Sequence, residues 1–542
     1  MFNEPAVAEK FFGRQEVLGL LTRRVSDLRE GYRQNIALTG QSLVGKSSII
    51  LHFIQMLKEE DFIPVYVEVL KEPFKSFSDK FIATLLYNSL IKIGEHVEID
   101  IDMLYEKASK VFPRTYLSIK HINLCVDRNE LDDAYSGLLA LTSILKGEIN
   151  KQFIVVLDEF DNLEHLGIKN PFLNFGKVIM VEKDTMYVVS SSRNEAVRKI
   201  LSEKLSLLFG NFELVKISSF DPRTAVEFMR TRMPGFEIES DMEKFLIALT
   251  EGNPFYLDKI TSCARRLAEE RMTNYIDKSV IVDAMLDCIY RPNGVIYQYL
   301  LNFILELLDA RYRERYLAML FSIAKGLNKQ SEMSRNLKVK KGEVQKALSA
   351  LLELGLISKN GVFYKIDDGM LEFWLKDVFQ KRRMSLVNGA IDAIRIFGLD
   401  ATAYITAVVD ELNRDNVSRL AELFNLFSNE MIQIYSKNVR LPHFTKVEVK
   451  KVGEGMSFIA ASFRGKFWIV QAYDSEVNES HIIDYIRNVK AMGLKVANKV
   501  IIPLKGIDEN AKLLGKELKI SIWDRNIVND LLRFYGRRRI IR

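Results

Sequence analysis

Apolar and polar positions alternate between two periods over the first part of the chain. Residues 36–39 are a short apolar run leading into Gly40, and residues 47–57 follow with Ile50, Phe53, Ile54 and Leu57 at helical spacing. Residues 64–70 repeat the strand-like run and residues 76–93 the amphipathic helix. Residues 153–157 and 186–190 are again unbroken apolar stretches, the pattern of strands covered on both faces. Strands alternating with helices predict a parallel α/β sheet. Residues 95–150 are less regular and mostly helical, and read as an insertion.

After about residue 220 the strand pattern stops, and residues 223–232, 241–251 and 254–271 read as helices. From residue 311 three helices, 316–325, 330–337 and 342–354, follow one another with short connections. Gly355 then suits a helix C-cap, and residues 356–358 and 362–366 form a hairpin around Asn360-Gly361, which predicts a type I′ turn. This is the pattern of a winged helix-turn-helix. Helices are expected to continue to about residue 436. Strands return at 447–449, 458–462, 467–471 and 500–503, with helices at 481–492 and 508–518. The expected organisation is a parallel-sheet core at 1–220, a helical lid at 221–310 and a winged helix at 311–385. A helical linker at 386–445 and a second, smaller α/β domain at 446–542 complete it. No internal repeat or low-complexity linker interrupts this order.

The bulk composition changes this picture little. The 542 residues suit three or four domains, and 48% hydrophobic with 27% charged residues is a globular balance. Cys125, Cys263 and Cys288 are too few and too scattered for a disulfide framework or a zinc site, which fits a reducing, cytoplasmic setting. The N-terminus, Met1-Phe2-Asn3-Glu4-Pro5, lacks the basic segment and apolar core of a signal peptide. No apolar run approaches the roughly 20 residues needed to span a bilayer, so no membrane partner is expected. The net charge of +6 becomes informative only where it is located.

The chemistry starts at the first strand. Gly40-Gln41-Ser42-Leu43-Val44-Gly45-Lys46-Ser47 matches G-x-x-x-x-G-K-[ST] in full. The glycines let backbone N–H groups turn toward phosphates, Lys46 reaches the β- and γ-phosphates of ATP, and the Ser47 hydroxyl is offered to Mg²⁺. The helix that follows presents its positive end to the anion. Phe153-Ile154-Val155-Val156-Leu157-Asp158-Glu159 is the partner signal, because a buried strand ending in two carboxylates is costly unless they meet a cation. Asp158 is expected in the magnesium shell and Glu159 as the base that polarises the attacking water. Ser190-Ser191-Ser192-Arg193-Asn194 follows the next strand. Either Arg193 or a serine there senses the γ-phosphate, or the segment is an ordinary strand-to-helix turn.

With these motifs, residues from Phe11 to about Trp374, some two-thirds of the chain, resemble the archaeal ATPase family. That family is a branch of the STAND and AAA+ P-loop NTPases near the origin-recognition initiators. The resemblance rests on Phe12-Gly13-Arg14-Gln15-Glu16, the P-loop, Leu157-Asp158-Glu159, Ser218-Ser219-Phe220-Asp221-Pro222, and Thr250-Glu251-Gly252-Asn253-Pro254-Phe255-Tyr256-Leu257. It implies that Gly13-Arg14 lies against the nucleotide and that Gly252-Asn253-Pro254 reaches it from the helical lid. The expected nucleotide-binding set is therefore Gly40, Gln41, Ser42, Leu43, Val44, Gly45, Lys46, Ser47, Ser48, Arg14 and Pro254. Ser47 and Asp158 are the expected magnesium ligands, and Glu159, Lys46 and Arg193 the expected catalytic groups. No arginine finger is evident.

Residues 311–365 hold twelve Lys and Arg against four Glu, a net of +8, more than the whole chain carries. Lys338, Lys340, Lys341 and Lys346 gather at the start of the expected recognition helix, and Lys359 and Lys365 flank the wing. This charge favours phosphate contacts with DNA; the competing reading is a switch module that packs on the ATPase. Residues from about 446 to 535 resemble the restriction-endonuclease-like fold, in its Mrr-like PD-(D/E)XK branch. The likeness rests on Phe467-Trp468-Ile469-Val470-Gln471-Ala472-Tyr473, on Val500-Ile501-Ile502-Pro503 and on the segment from Ala511 to Ile520.

The nuclease chemistry is missing, however. Tyr473 stands where the family carries lysine, and residues 456–462 hold no Asp, leaving Gln471, Asp474 and Glu476 as substitutes. Binding without cleavage is expected. The terminal ten residues carry five arginines, Arg537, Arg538 and Arg539 among them, interleaved with aromatics. They read either as a nucleic-acid grip or as a solvated tail. The first functional expectation is a DNA-associated ATPase; whether it forms a homo-oligomer is left open by the sequence. The alternative is a STAND signalling switch that never touches DNA.

Overall fold

The computed structural model describes residues 4–540 except 58, 194–196, 198, 202–210, 386–389, 436 and 453–455. Asn194 and Arg542 of the motifs above lie outside the described residues, as does the expected boundary at 385–386. The chain divides into two compact units, Met1–Ser219 and Phe220–Arg542.

The first unit is built on five parallel strands in the order β2-β3-β4-β1-β5. They are β1 (Asn35–Thr39), β2 (Phe62–Glu68), β3 (Gln152–Asp158), β4 (Thr185–Ser191) and β5 (Phe212–Lys216). Helices α1 (Gln15–Arg29), α2 (Lys46–Met56), α3 (Phe74–Lys92), α4 (Ile101–Val111), α5 (Pro113–Asp127), α6 (Leu131–Ile149) and α7 (Pro171–Val181) accompany them. The unbroken apolar runs follow from burial on both faces. Ile36, Leu38, Ile154, Val156 and Val188 pack with α1 and α2 on one side of the sheet. Ala37, Phe153, Val155, Leu157 and Val189 pack with α3 and the inserted α4–α6 on the other. Because every strand runs the same way, Gly40, Glu68, Asp158, Glu159 and Ser192 all arrive at one edge. Strand β5 carries no clear sequence signal, since as an edge strand it buries only Phe212 fully and leaves Leu214 exposed.

The second unit begins with helices Pro222–Arg232, Ser240–Thr250 and Pro254–Glu270. Two short strands, β6 (Glu237–Ile238) and β7 (Tyr275–Ile276), pair in parallel among them. Helices Arg313–Ala324, Gln330–Leu337 and Lys341–Glu353 then lead to a hairpin of β8 (Ile357–Asn360) and β9 (Phe363–Ile366). The turn falls one residue later than expected. Asn360 pairs with Phe363, so Gly361 and Val362 make the turn, and of these only Gly361 has a positive φ, +59°. A type I′ turn needs positive φ at both central residues, so that expectation is corrected.

Helices were also expected to run to about residue 436. Instead the helix Asn416–Asn425 ends and an antiparallel hairpin of β10 (Glu430–Ile434) and β11 (Lys437–Leu441) follows. Glu430, Ile432 and Ile434 are buried while Met431 and Gln433 are exposed, a two-residue period over too few residues to stand out. Five strands then make the last sheet: β12 (Lys446–Val452), β13 (Met456–Phe463), β14 (Lys466–Tyr473), β15 (Val496–Pro503) and β16 (Ser521–Ile522). The first three are antiparallel, and β14, β15 and β16 are parallel. Helices Glu479–Ala491 and Glu509–Glu517 cover one face; Asn416–Asn425 and Arg525–Phe534 cover the other, with Phe363 of β9 in the same core. No helix among the described residues is long and apolar enough to cross a membrane.

Candidate nucleotide site

The loop between β1 and α2 has its shape imposed by two glycines. A Cβ on Gly40 would fall 2.3 Å from the carbonyl oxygen of Ile217, so only glycine lets β1 pass the end of β5 here. Gly45 has φ +96°, open to glycine alone without strain, and starts α2. Leu43 also sits at positive φ, +63°, at the tip of the loop. The N-terminal segment is laid against this loop. Arg14 Nη2 donates to the carbonyl oxygens of Val44 (3.2 Å) and Ser218 (2.6 Å). Phe11 stacks on His52 of α2 with centroids 4.0 Å apart, and Ser48 Oγ accepts from the Ala6 N–H at 2.9 Å. Ser48 is thus used to hold this segment. Ser47 lies half-buried on the first turn of α2.

Lys46 is the informative residue. Its side chain is buried, and its Nζ donates to the carbonyl oxygens of Gly40 (3.1 Å) and Gln41 (3.0 Å) and to Ser192 Oγ (2.9 Å). All three acceptors are neutral. Burial lowers its pKa, opposed by the charges of Glu159, Asp158 and Asp161. A buried ammonium that meets only neutral oxygens is suited to an anion placed among the N–H groups of the loop.

The acids stand at the end of β3, which β4 separates from β1. Asp158 is buried; its Oδ2 accepts from Tyr66 Oη at 2.8 Å and its Oδ1 from Ser190 Oγ. Glu159 follows in the left-handed region, φ +51°, which turns its carboxylate toward β4. There it accepts from Ser192 Oγ at 2.5 Å and from the Ser192 N–H at 3.1 Å. Ser192 therefore bridges the lysine and the expected base. Arg193 is directed elsewhere: its guanidinium pairs with buried Asp161 and reaches Asn162 Oδ1 at 3.4 Å.

Sequence reasoning missed Glu68. It ends β2 in register with Asp158, and its pKa is raised by desolvation first and then by Asp158 and Glu159. The same surroundings raise the Tyr66 phenol, burial first and Asp158 next. Asp158 and Glu159 act on Lys46, and exposed Glu68 adds a third carboxylate at the same sheet edge with Lys80 nearby. Among the described residues no three His, Cys, Asp or Glu side chains form a metal cage. The signal that could have found Glu68 is its place at the end of an apolar run, as with Asp158.

Pro254 belongs to the second unit, where it opens the helix Pro254–Glu270 behind Asn253, whose side chain accepts from the Phe255 N–H at 3.0 Å. Gly252 has φ +73°, and a Cβ there would lie 2.2 Å from the Phe220 carbonyl oxygen. The Gly252-Asn253-Pro254 sequence is therefore also a tight helix cap.

The basic residues separate into two groups. Lys338, Lys340, Lys341 and Lys346 are all exposed around the start of the helix Lys341–Glu353. The hairpin that follows them is occupied. Lys365 pairs with Asp530, Lys359 lies over Tyr364, Phe363 stacks on Phe534 at 5.0 Å, and Asn360 exchanges hydrogen bonds with the Gln433 backbone. The C-terminal arginines are also mostly engaged, which corrects the expectation of a free basic tail. Arg533 ends the helix Arg525–Phe534 with its side chain only 10% exposed, paired with Glu372 and Glu251. Arg539 pairs with Glu251 at 3.0 Å, and Arg538 lies 4.7 Å over the Tyr404 ring. Buried Arg419 holds the carbonyl oxygens of Arg538 and Arg539. Arg537 alone of the three is exposed.

At the end of β14, Tyr473 Oη donates to Gln471 Oε1 at 2.8 Å, and burial raises the phenol pKa. Asp474 Oδ1 accepts from Asn416 Nδ2 at 2.8 Å, and Glu476 is exposed. The geometry brings no acidic pair and lysine together there.

No family model matches the chain, and no curated protein matches it. Among solved structures it is similar to the Walker-type ATPase PABY2304 of Pyrococcus abyssi, at 19% identity and TM-score 0.49, over 69% of this chain and 99% of that one. It is also similar to the Aeropyrum pernix ORC2 protein, solved as ADPNP–ADP complexes, at 13% identity and TM-score 0.45, over 74% and 98% of the two chains. The Thermotoga maritima RuvB Holliday junction branch migration motor matches at 13% identity and TM-score 0.34, over 68% and 96%. At such values the functional assignment rests on the residues themselves.

Proposed function

We propose that this chain binds and hydrolyses ATP with Mg²⁺, and that its second unit contacts DNA. The observation that carries the first part is the buried Lys46 ammonium among neutral oxygens, linked through Ser192 of the intervening strand end to Glu159. In this reading the loop N–H groups and Lys46 hold the phosphates. Ser47 and Asp158 hold Mg²⁺, which supplies charge neutralisation for the transferring phosphoryl group. Glu159 orients and deprotonates water, and Ser192 keeps Glu159 and Lys46 in register. Arg193 serves through Asp161 and Asn162. Arg14 fixes the loop from behind.

The DNA reading takes the three helices and hairpin as a winged helix, with Lys338, Lys340, Lys341 and Lys346 as phosphate contacts. It takes the C-terminal sheet as a nuclease-like domain that binds without cutting. The ATP state would set how these parts are presented. The second reading, a STAND-type assembly switch with no DNA contact, is favoured by one observation: the wing residues Lys365, Phe363 and Asn360 are already committed inside the molecule.

Filter binding with duplex DNA at two salt concentrations, with and without ATP, separates the two. Replacing the four exposed lysines by alanine is expected to lower the salt slope by up to about 4 in the DNA reading. Absence of binding at low salt would leave the switch reading. Supercoiled plasmid incubated with Mg²⁺ or Mn²⁺ is expected to stay uncut, and cleavage that vanishes on changing Asp474 or Glu476 would overturn the binding-only reading.

A further inference from the structure

Cys263 and Cys288 are twenty-five positions apart in sequence, yet Cys288 Sγ lies 3.6 Å from the carbonyl oxygen of Lys259, one helical turn before Cys263 on the same helix. Cys263 lies on the helix Pro254–Glu270 and Cys288 on a single π-helical turn, Leu286–Tyr290. Their surroundings differ. Cys263 is half-buried, with Arg266 Nη2 3.6 Å from its sulfur. Arg266 is anchored there by Asp287 at 2.8 Å and Glu270 at 2.5 Å. Cys288 is buried and donates to the Lys259 carbonyl oxygen at 3.6 Å.

The turn that carries Cys288 has little room to move. A Cβ on Gly294 would lie 2.4 Å from the Asp287 carbonyl oxygen and 2.6 Å from that of Cys288. The neighbouring Cys288 and the Arg266 guanidinium hold the Cys263 thiol pKa down, while the neighbouring Cys263 and burial raise that of Cys288. One sulfur is thus partly exposed and beside a cation; the other is buried against the same helix.

We propose that Cys263 and Cys288 are a reversible, peroxide-responsive dithiol, with Cys263 the attacking sulfur and Cys288 the resolving one. The Cys263 thiolate attacks one oxygen of hydrogen peroxide. The O–O bond breaks, hydroxide leaves, and the sulfur becomes a sulfenic acid. The Cys288 sulfur then attacks the Cys263 sulfur, the S–O bond breaks, and the departing hydroxide takes the Cys288 proton as water. One peroxide is reduced and one disulfide formed, and an external dithiol reverses the step by exchange. The bond would tie the helix opened by Asn253-Pro254 to the turn at Leu286–Tyr290.

Cys125 is the internal control, a buried thiol whose pKa is raised by its surroundings, burial first. The full chain is treated with equimolar hydrogen peroxide, quenched with iodoacetamide, and mapped by peptide mass spectrometry. The expected result is an intrachain Cys263–Cys288 peptide pair lacking two hydrogens and restored by dithiothreitol. Cys263 is expected to be consumed at least about tenfold faster than Cys125. In Cys288→Ser, oxidation should stop at a Cys263 sulfenic acid trapped by dimedone, and Arg266→Met should slow the first step. Circular dichroism melts confirm that each variant is folded. Equal reactivity of Cys263 and Cys125, a disulfide formed only between chains, or no cross-link in the parent would overturn the proposal.

Discussion

Replacing Glu159 by glutamine tests the proposed hydrolysis with the least disturbance of the fold. The Glu159 carboxylate accepts from the Ser192 N–H at 3.1 Å and from Ser192 Oγ at 2.5 Å. A glutamine keeps the first bond through its carbonyl oxygen. Its amide nitrogen can donate to Ser192 Oγ, which already accepts from Lys46 at 2.9 Å. The cost to folding is therefore at most about 1 kcal/mol, the size of one exchanged hydrogen bond. Nucleotide affinity should hold or improve, since one negative charge beside the phosphates is removed. What disappears is the group that takes the proton from water. Loss of a positioned base typically slows a reaction roughly 10²–10⁴-fold, about 3–5 kcal/mol of barrier. Phosphate release measures turnover, titration with a fluorescent ATP analogue measures affinity, and the melting curve measures the fold. Turnover within about threefold of the parent, with binding and melting unchanged, would remove Glu159 from the base role.

Lys46→Ala removes the ammonium that contacts the loop carbonyls of Gly40 and Gln41, and is expected to cost about 3 kcal/mol of nucleotide binding, on the order of 100-fold by the same titration. Glu68 has its pKa raised above the ordinary 4.5, so folding releases no net benefit from its ionisation: its contribution is fully present below pH 4.5 and is lost as pH rises through the folded value. Glu68→Gln should accordingly raise the melting temperature at pH 7 without Mg²⁺, with the gain vanishing below pH 4.5; an unchanged difference across that range would refute the assignment. Arg533→Met removes the partner of Glu372 and leaves Glu251 with Arg539, and is expected to lose about 3 kcal/mol in urea unfolding, whereas exposed Arg537→Met should change stability by less than about 0.5 kcal/mol.

The proposed nucleotide site is read from the sequence because its motifs are local. Gly40, Gly45 and Lys46 lie within one loop, and a strand buried on both faces must be an unbroken apolar run, so the place where Asp158 and Glu159 end that run marks the sheet edge. Helices with apolar residues at regular spacing were equally readable, and most of their ends fell within two or three residues of the observed ones. What depended on a neighbour's face was not readable. Strand β5 is an edge, with one face partly open; β10 alternates over only five residues; and the turn at Gly361 shifted by one position under the Met431 carbonyl, which leaves no space for a Cβ.

Charge was the least legible of all. A lysine or arginine has the same appearance in sequence whether it meets water, DNA or a carboxylate two hundred residues away. Lys365 beside Asp530, Arg539 beside Glu251 and Glu68 beside Asp158 are decided by chain crossings, as is the meeting of Cys263 with Cys288. The sequence by itself determined which segments could form a phosphate loop and a parallel sheet, because backbone geometry and burial period are properties of consecutive residues. Only the tertiary structure decided which charges remain available, because an ion pair is a property of two segments that nothing in either one's local pattern brings together.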